Sequence, residues 1–322
     1  MEIAINKKKV MKKTGGVVAN TFKYIFFISF GFVVLYPFIY ILLGSFMGNT
    51  DYLDPTVGWI PKNWTPRNLI AGAYMLGLHE GTLTNTIVFQ IVSGLLQFVS
   101  CSVAAYGLAR FKFKGRGILN AFMILHILVP TIMIMVPNYV NYSNLDFLGI
   151  FGFLSKITGL DLTVSITGTP LAFWIPSILG VGLKGGLFIY IFTQFYRGLP
   201  KELEEAAWID GAGPVKTFVR IVLPSSGSAS ITVLLFTVVW HWNEYFTSQM
   251  YASDKPVMST NLLFGDYYTL VEHFGLGTTE AEVGTKAVIL AACLLFLAPL
   301  IIFYCIIQRK FVASIATSGI VG

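Results

Sequence analysis

Charged residues are scarce in this chain. Only 12% of its 322 residues are Asp, Glu, Lys or Arg, whereas 55% are apolar, and the mean hydropathy is +0.71. A soluble domain carries about 25% charged residues, so the composition excludes an ordinary soluble protein. Apolar runs of about 20 residues recur along the whole chain, which predicts a polytopic membrane protein. These runs are continuous rather than alternating, which favours membrane-spanning helices over a closed barrel.

Residue patterns that would support chemistry are also missing. The three cysteines, Cys101, Cys293 and Cys305, lie in apolar runs, which favours small buried side chains over disulfides. The four histidines are scattered, and neither a His-Glu-x-x-His metal motif nor a Gly-x4-Gly-Lys-Ser/Thr phosphate loop occurs. We therefore expect a chain that is not an enzyme, binds no metal and does not hydrolyse ATP itself. No small-residue cleavage site follows the first apolar run, so we expect no cleaved signal peptide.

The apolar runs predict six membrane spans. Their approximate bounds are 22–47, 85–109, 118–141, 173–196, 226–247 and 286–307. The third predicted span contains Pro130 and Pro137, which predict a kink. The kink is either packed by neighbouring helices or a bend that opens a central path. The connector 142–172 is long and moderately apolar, which fits a short interfacial helix or a re-entrant segment.

The basic residues are unevenly distributed between the connectors. Most of the 22 Lys and Arg residues lie in the segments 7–23, 110–116, 197–220 and 309–310. If the N-terminus is inside, all four segments are inside, so the positive-inside rule predicts that both termini are cytoplasmic. The net charge of +6 therefore indicates topology and gives no support to nucleic-acid binding. We predict a basic tail at 1–21, a membrane domain at 22–307 and a C-terminal tail at 308–322.

One predicted cytoplasmic connector, the coupling loop (residues 197–224), has an amphipathic helix–turn–helix pattern. Acidic residues follow Pro200, as at the start of a helix. Leu203, Ala206 and Ala207 are spaced at i, i+3 and i+4, which predicts a small apolar face that a partner can approach closely. The Gly- and Pro-containing segment 210–214 then predicts a turn into a second helix.

The anchors of this loop have a characteristic spacing. Glu205-Ala206-Ala207 is followed by three residues and Gly211, then by nine residues and Ile221-Val222-Leu223-Pro224. This pattern resembles the EAA loop of permease subunits in ATP-binding-cassette (ABC) importers, which is EAA, three residues, Gly, nine residues and Ile-x-Leu-Pro. The resemblance implies that the loop docks on an ATPase. The residues that it places at this contact are Leu203, Glu205, Ala206, Ala207, Asp210, Gly211, Ile221, Leu223 and Pro224.

Other segments resemble the carbohydrate branch of these permeases. They are the Arg-Phe-Lys-Phe-Lys-Gly-Arg segment at 110–116, Trp242-Asn243-Glu244, and the C-terminal segments 308–312 and 319–322. The C-terminal segments are similar to those of the second permease of maltose-type transporters. Val321 stands where Lys is common, so a role for that lysine is not carried over. The resemblance covers roughly residues 85–322.

This resemblance implies a specific architecture and set of partners. The fold would be the all-α, polytopic type I ABC importer permease fold, with six transmembrane helices in the cell membrane. The chain would form half of the path of an oligosaccharide importer. Its partners would be a second EAA-type permease, two ATPase subunits that bind ATP and Mg²⁺, and an extracytoplasmic solute-binding protein. No cofactor would be bound by this chain.

Two clusters are candidates for the substrate path. Lys184 lies near the middle of the predicted span 173–196, and it either snorkels to an edge or lines the route, where it would favour an acidic sugar such as a uronate oligosaccharide. The second cluster contains aromatic rings that could stack on sugars and polar groups that could bond hydroxyls: Trp240, Trp242, Asn243 and Glu244. The alternative for this cluster is an aromatic belt with a helix-packing amide.

Two further interpretations of the whole chain remain open at this point. The first is a permease of the same class for another solute, such as a peptide, phosphate or a polyamine. The second is a membrane-embedded enzyme or assembly factor with a fortuitous loop. The carbohydrate-type segments favour a sugar over the other solutes.

Overall fold

The computed structural model describes residues 2–146, 150–159, 163–265, 274 and 278–318. The regular structure in these ranges is helical, with two isolated β-bridges, Met47 to Trp64 and Leu145 to Val164. The predicted all-helical class is therefore confirmed for the described residues. They form two compact units. The first contains the described residues up to Gly72 and the last helix as far as Leu295, and the second contains Ala73 to Gly265 and the last helix from Phe296.

The helices follow one another with short connections. In chain order they are α1 (Glu2–Ser45), α2 (Asn49–Leu53), α3 (Arg67–Met75), α4 (Thr82–Asn85), α5 (Val92–Arg110), α6 (Arg116–Leu128), α7 (Thr131–Ser143), α8 (Ile150–Thr158), α9 (Leu171–Ile178), α10 (Gly185–Gly198), α11 (Glu202–Ile209), α12 (Pro214–Thr217), α13 (Leu223–Ser225), α14 (Gly227–Trp242), α15 (Phe246–Tyr251), α16 (Met258–Phe264) and α17 (Thr278–Ser318). A 3₁₀ turn occupies Leu78–Glu80, and π-helical turns occupy Thr86–Ile91 and Phe218–Val222.

Three continuous helical segments within the described residues are long and apolar enough to cross a membrane: Asn20–Ser45, Thr82–Arg110 and Thr285–Val312. Two bent helix pairs also qualify when each pair is taken as one span, which gives up to five. The pair α6–α7 bends by 105° next to Pro130, and the segment Pro214–Ser225 meets α14 at 83°. A kink in the third predicted span is thus confirmed, and it lies at Pro130 rather than at Pro137, which is inside α7.

The predicted continuous span 173–196 is wrong. Helix α9 ends at Ile178, α10 begins at Gly185, and a loop at 179–184 separates them. Two residues of this loop have positive φ, Gly180 at 73° and Lys184 at 59°, which no continuous helix allows. Lys184 therefore lies at a break between two half-helices rather than in the middle of a helix.

Aromatic side chains fill the core of the second unit. The completely buried residues of this core include Cys101 in α5, Phe188, Phe192 and Tyr196 in α10, and Val233 in α14. Phe192 stacks on Tyr196 with the ring centroids 5.6 Å apart. This core packs α5 and α10 against each other.

The first unit is held together by polar contacts next to the end of α1. Asn68 donates from Nδ2 to the carbonyl oxygens of Ser45 and Met47, at 3.1 and 2.9 Å. The Asp51 carboxylate accepts from the backbone N–H and from Nδ2 of Asn63, at 2.8 and 2.7 Å. In contrast, most large apolar side chains of α1 from Phe22 onwards are exposed, as expected of a helix in contact with lipid.

Candidate functional site

The second unit contains an open cavity of about 530 Å³. Its wall is built from the π-turn before α5, from α6, α7 and α9, from the loop 179–184, and from the end of α14 with α15. The wall is mixed, because apolar and aromatic side chains alternate with polar ones such as Gln90, Ser93, Asn138 and Thr247. A cavity of this size accommodates an organic ligand.

Lys184 lies in the wall of this cavity in an unusual conformation. It is the one non-glycine residue with positive φ among those that the structure describes. Its ammonium lies 5.9 Å from the ring centroid of Trp240, a cation–π distance. Trp240 in turn stacks on Phe236 and Phe188, with centroids 5.3 and 5.6 Å away. Within the described part of the chain, no carboxylate lies within 4 Å of the Lys184 ammonium.

Side-chain hydrogen bonds from α5 and α6 hold the loop that carries Lys184 and the residues on either side of it. Gln97 donates from Nε2 to the Leu183 carbonyl at 2.6 Å, and Ser100 donates from Oγ to the Ser177 carbonyl at 2.6 Å. The backbone N–H of Gly186 donates to Nδ1 of His126 at 2.9 Å. The loop is therefore fixed from α5 and α6.

Gln97 also connects the loop to α14. Its Oε1 lies 2.9 Å from Nε2 of His241, which donates because an amide oxygen only accepts. Both side chains are buried, Gln97 completely. Sequence reasoning missed this pair, although a glutamine inside the apolar run of a span was a usable signal.

The structure separates the four residues of the predicted Trp-Asn-Glu cluster. Trp240 and Glu244 line the cavity together with Lys184. Trp242 is buried instead, where its Nε1 donates to the Phe296 carbonyl of α17 at 3.1 Å. Asn243 is exposed and donates from Nδ2 to the Val239 carbonyl at 2.7 Å. Trp242 and Asn243 therefore lie outside the cavity.

Glu244 has a local structural role as well. Its Oε1 accepts from the backbone N–H of Thr247 at 2.8 Å, next to the start of α15. Its carbonyl accepts from Ser259 Oγ at 2.9 Å. The carboxylate is thereby held at the cavity wall.

The coupling loop forms the second candidate site. Helix α11 ends in a Schellman motif: Gly211 has φ 77°, its N–H donates to the Trp208 carbonyl at 3.0 Å, and Ala212 donates to the Ala207 carbonyl at 2.9 Å. The chain then re-enters a helix at Pro214, and this helical path continues through the π-turn and past Pro224. Helix α13, which contains Pro224, ends at Ser225.

The predicted coupling residues differ in their exposure. Those that are exposed are Leu203, Glu205, Ala206, Asp210, Gly211 and Pro224, whereas Ile221 and Leu223 are half-buried. Ala207 is only 6% exposed, so it packs inside the chain and does not share an accessible face with Leu203 and Ala206. The structure adds two highly exposed apolar side chains that sequence reasoning missed, Ile209 at 87% and Val215 at 77%.

A buried ion pair anchors α11 to the end of α5. Glu204 Oε1 lies 2.5 Å from Arg110 Nε, and both side chains are nearly inaccessible. Tyr106 donates from its hydroxyl to Glu204 Oε2 at 3.0 Å, and Arg110 donates from Nη2 to the Leu199 carbonyl at 2.9 Å. Arg110 lies in the segment 110–116 noted in the sequence, but the sequence alone gave no reason to pair it with Glu204.

The fold and these sites define a membrane-embedded permease subunit. The chain belongs to the family of binding-protein-dependent transport system inner membrane components, whose model matches residues 99–317. It is similar to the arabinooligosaccharides transport system permease protein AraQ of Halalkalibacterium halodurans, at 24% identity over 315 residues that cover 97% of this chain and 100% of that protein. It is also similar to the probable starch degradation products transport system permease protein AmyC of Thermoanaerobacterium thermosulfurigenes, at 26% identity, with 88% of this chain and 90% of that protein covered.

A solved structure has the same fold. It is a crystal structure of a bacterial ABC transporter involved in the import of the acidic polysaccharide alginate. The TM-score is 0.67 at 17% identity, with 91% of this chain and 96% of that chain covered. The predicted resemblance to binding-protein-dependent import permeases is confirmed, and the family of this chain is one of transporters rather than enzymes.

Proposed function

We propose that this chain is one of two membrane subunits of an ATP-driven oligosaccharide importer. It forms half of the translocation path together with a second EAA-type permease. Two ATPase subunits, which bind ATP and Mg²⁺, dock on its coupling loop and on the corresponding loop of the second permease. A solute-binding protein outside delivers the sugar. Support for a saccharide cargo comes from the sugars in the names of the relatives, and no observation favours a peptide, phosphate or polyamine.

One observation carries the docking proposal. Leu203, Ile209 and Val215 are large apolar side chains of the coupling loop, and all three are exposed. We call these three residues the docking surface. Apolar groups at the tip of a charged helix–turn–helix are outside lipid, so covering them favours association with a protein partner. The buried ion pair of Glu204 with Arg110 supports the same proposal, because it fixes α11 to α5 and lets a movement of α11 reach the membrane helices.

We extend the proposal to the topology. The three continuous spans and the two bent pairs leave α9 and α10 unassigned. Together these two half-helices would make a sixth crossing interrupted at residues 179–184. Interrupted helices occur in membrane proteins where the irregular backbone is buried or lines a cavity, and this loop lines one. Six crossings would leave both termini on the same side of the membrane. The positive-inside rule predicts that this side is the cytoplasm. The terminal segment 319–322 lies outside the described residues.

We propose the following transport cycle. ATP binding would close the ATPase dimer and draw the two coupling loops together. The anchored helix α11 would then pull α5, which turns the cavity outward to receive the sugar. ATP hydrolysis would reset the subunits. Lys184, Trp240 and Glu244 would face the sugar in this cycle.

The docking surface gives the direct test of the proposed function. We expect Ile209→Asp to reduce recovery of the ATPase subunits with the tagged, detergent-solubilised chain, because a charge replaces an apolar contact. A central apolar contact contributes about 2 kcal/mol or more to association, which is roughly 30-fold in affinity. Leu53→Asp is the matched control, since Leu53 is also exposed and apolar but lies on a predicted outer segment. Equal recovery with Ile209→Asp and with the unchanged chain would refute docking at this surface.

Gly211 supplies a second test through the backbone. We expect Gly211→Ala to lower sugar-stimulated ATPase activity, because any side chain at φ 77° costs roughly 1–2 kcal/mol, a factor of about 5–30 in the population of the turn. Gly213→Ala is the control: it has φ −76°, and a Cβ at either glycine meets nothing within 4 Å. Gly211→Asp also adds a charge at the turn, so its sugar-stimulated ATPase activity should be lower still. The same activity in the two alanine variants would contradict the role of this turn.

A further inference from the structure

We infer that the cavity in the second unit binds a saccharide that carries a carboxylate, with Lys184 as the residue that selects it. The inference rests on the proposed function and deepens it by naming the substrate class. Two independent observations meet at this residue. Its ammonium faces the cavity without a carboxylate partner among the described residues, and its backbone is in the left-handed conformation.

The Lys184 ammonium has no carboxylate within 4 Å among the described residues. An ionisable group within the membrane is retained where it faces a cavity or meets a partner. The Lys184 ammonium lies over the face of Trp240, which attracts a cation but does not neutralise it. An incoming carboxylate would supply the missing charge and form charge-assisted hydrogen bonds with the ammonium.

The backbone conformation is a second, separate signal. Lysine adopts positive φ rarely, and such conformations persist where the surroundings enforce them, often at ligand sites. Here Gln97 holds the Leu183 carbonyl and His126 holds the Gly186 N–H, on either side of Lys184. The backbone that carries the Lys184 side chain is thereby held at the cavity wall.

The rest of the wall fits a sugar rather than a small inorganic anion. The volume of about 530 Å³ is far larger than one such ion needs. Asn138 and Thr131 supply polar groups for hydroxyls, and Tyr142 and Phe173 supply aromatic surface for the ring faces. Glu244 places a negative charge at another point of the wall, which favours hydroxyls there and disfavours a carboxylate. The ligand would thus be oriented with its acidic group toward Lys184.

The test uses the complete transporter, which is this chain, its sister permease, the ATPase pair and the binding protein, in proteoliposomes. The probes are trisaccharides of galacturonate, glucuronate and mannuronate, each with its neutral hexose counterpart. ATPase stimulation by at least one uronate is expected with the unchanged chain. Lys184→Gln should raise the half-maximal uronate concentration about tenfold or more, because a charge-assisted hydrogen bond is lost, whereas Lys184→Arg should stay within about twofold.

A third variant separates charge from folding. Asparagine adopts positive φ more readily than lysine, so Lys184→Asn removes the charge without adding backbone strain. It should lose uronate stimulation and keep its melting temperature. Stimulation by neutral sugars alone, or unchanged uronate response in Lys184→Gln, would overturn the inference and assign Lys184 a counter-charge on the sister permease. ATPase subunits that fail to assemble on the chain, or an assembled complex that no sugar stimulates, would instead refute the proposed function.

Discussion

Glu204→Ala is expected to destabilise the purified subunit strongly and to abolish transport. The substitution leaves Arg110 buried without its counter-charge, and it also removes the acceptor of the Tyr106 hydroxyl. Breaking a buried pair by removing one partner costs about 3–5 kcal/mol. The measurement is the thermal unfolding of the detergent-solubilised chain, combined with uptake in proteoliposomes.

This prediction has two controls. One changes an exposed acid on α11, and the other replaces both members of the ion pair. Glu202→Ala removes an exposed acid from the first turn of α11, so its melting temperature should stay close to that of the unchanged chain. The double variant Arg110→Met with Glu204→Met should lose less stability than the two single variants lose together, because two apolar groups replace two paired charges. Identical melting temperatures for Glu204→Ala and Glu202→Ala would show that the pair does not hold α11.

Gly185→Ala is expected to prevent the loop 179–184 from closing on α10. A Cβ at this position would lie 2.1 Å from the Gly180 carbonyl oxygen and 3.2 Å from Gln97 Nε2. A backbone atom cannot move aside as a side chain can. The loss of folding free energy should therefore reach or exceed the upper end of the roughly 1–3 kcal/mol that overpacking costs. Uptake should fall to background because Lys184 and the cavity wall are displaced.

The same helix offers the matched control for this glycine. Gly198 ends α10, and a Cβ there meets nothing within 4 Å. Gly198→Ala should therefore retain uptake, and its melting temperature should be unchanged or slightly higher, because alanine favours a helix by about 1 kcal/mol over glycine. Full uptake in Gly185→Ala would mean that the loop adopts another conformation during transport.

The sequence predicted the uninterrupted helices well. The apolar runs 22–47, 85–109 and 286–307 correspond to the observed segments Asn20–Ser45, Thr82–Arg110 and Thr285–Val312. Hydropathy finds such helices because lipid contact requires apolar side chains along the whole length. It cannot distinguish a continuous helix from two half-helices, since both are apolar. Four glycines in 180–186 were the available signal for the break between α9 and α10.

The sites were only partly predictable for geometric reasons. Lys184, Trp240 and Glu244 do line one cavity, but Trp242 and Asn243 point elsewhere. Successive residues of a helix differ in direction by about 100°, so a run of neighbouring residues cannot share one face. Likewise, Glu204 rather than Glu205 is the buried acid of α11. That choice depends on Arg110 of another helix, which no local pattern reveals.

The ion pair that anchors α11 also has a consequence for biogenesis. Tyr106 precedes its partner Glu204 by 98 residues, and Arg110 lies in the same final turns of α5. At the usual speed of synthesis of about 5–20 residues per second, this part of α5 is made roughly 5–20 s before its acidic partner. During that interval the arginine lacks the counter-charge that Glu204 supplies in the folded chain. The final seating of α5 is therefore a late event, completed only when the ribosome has delivered α11.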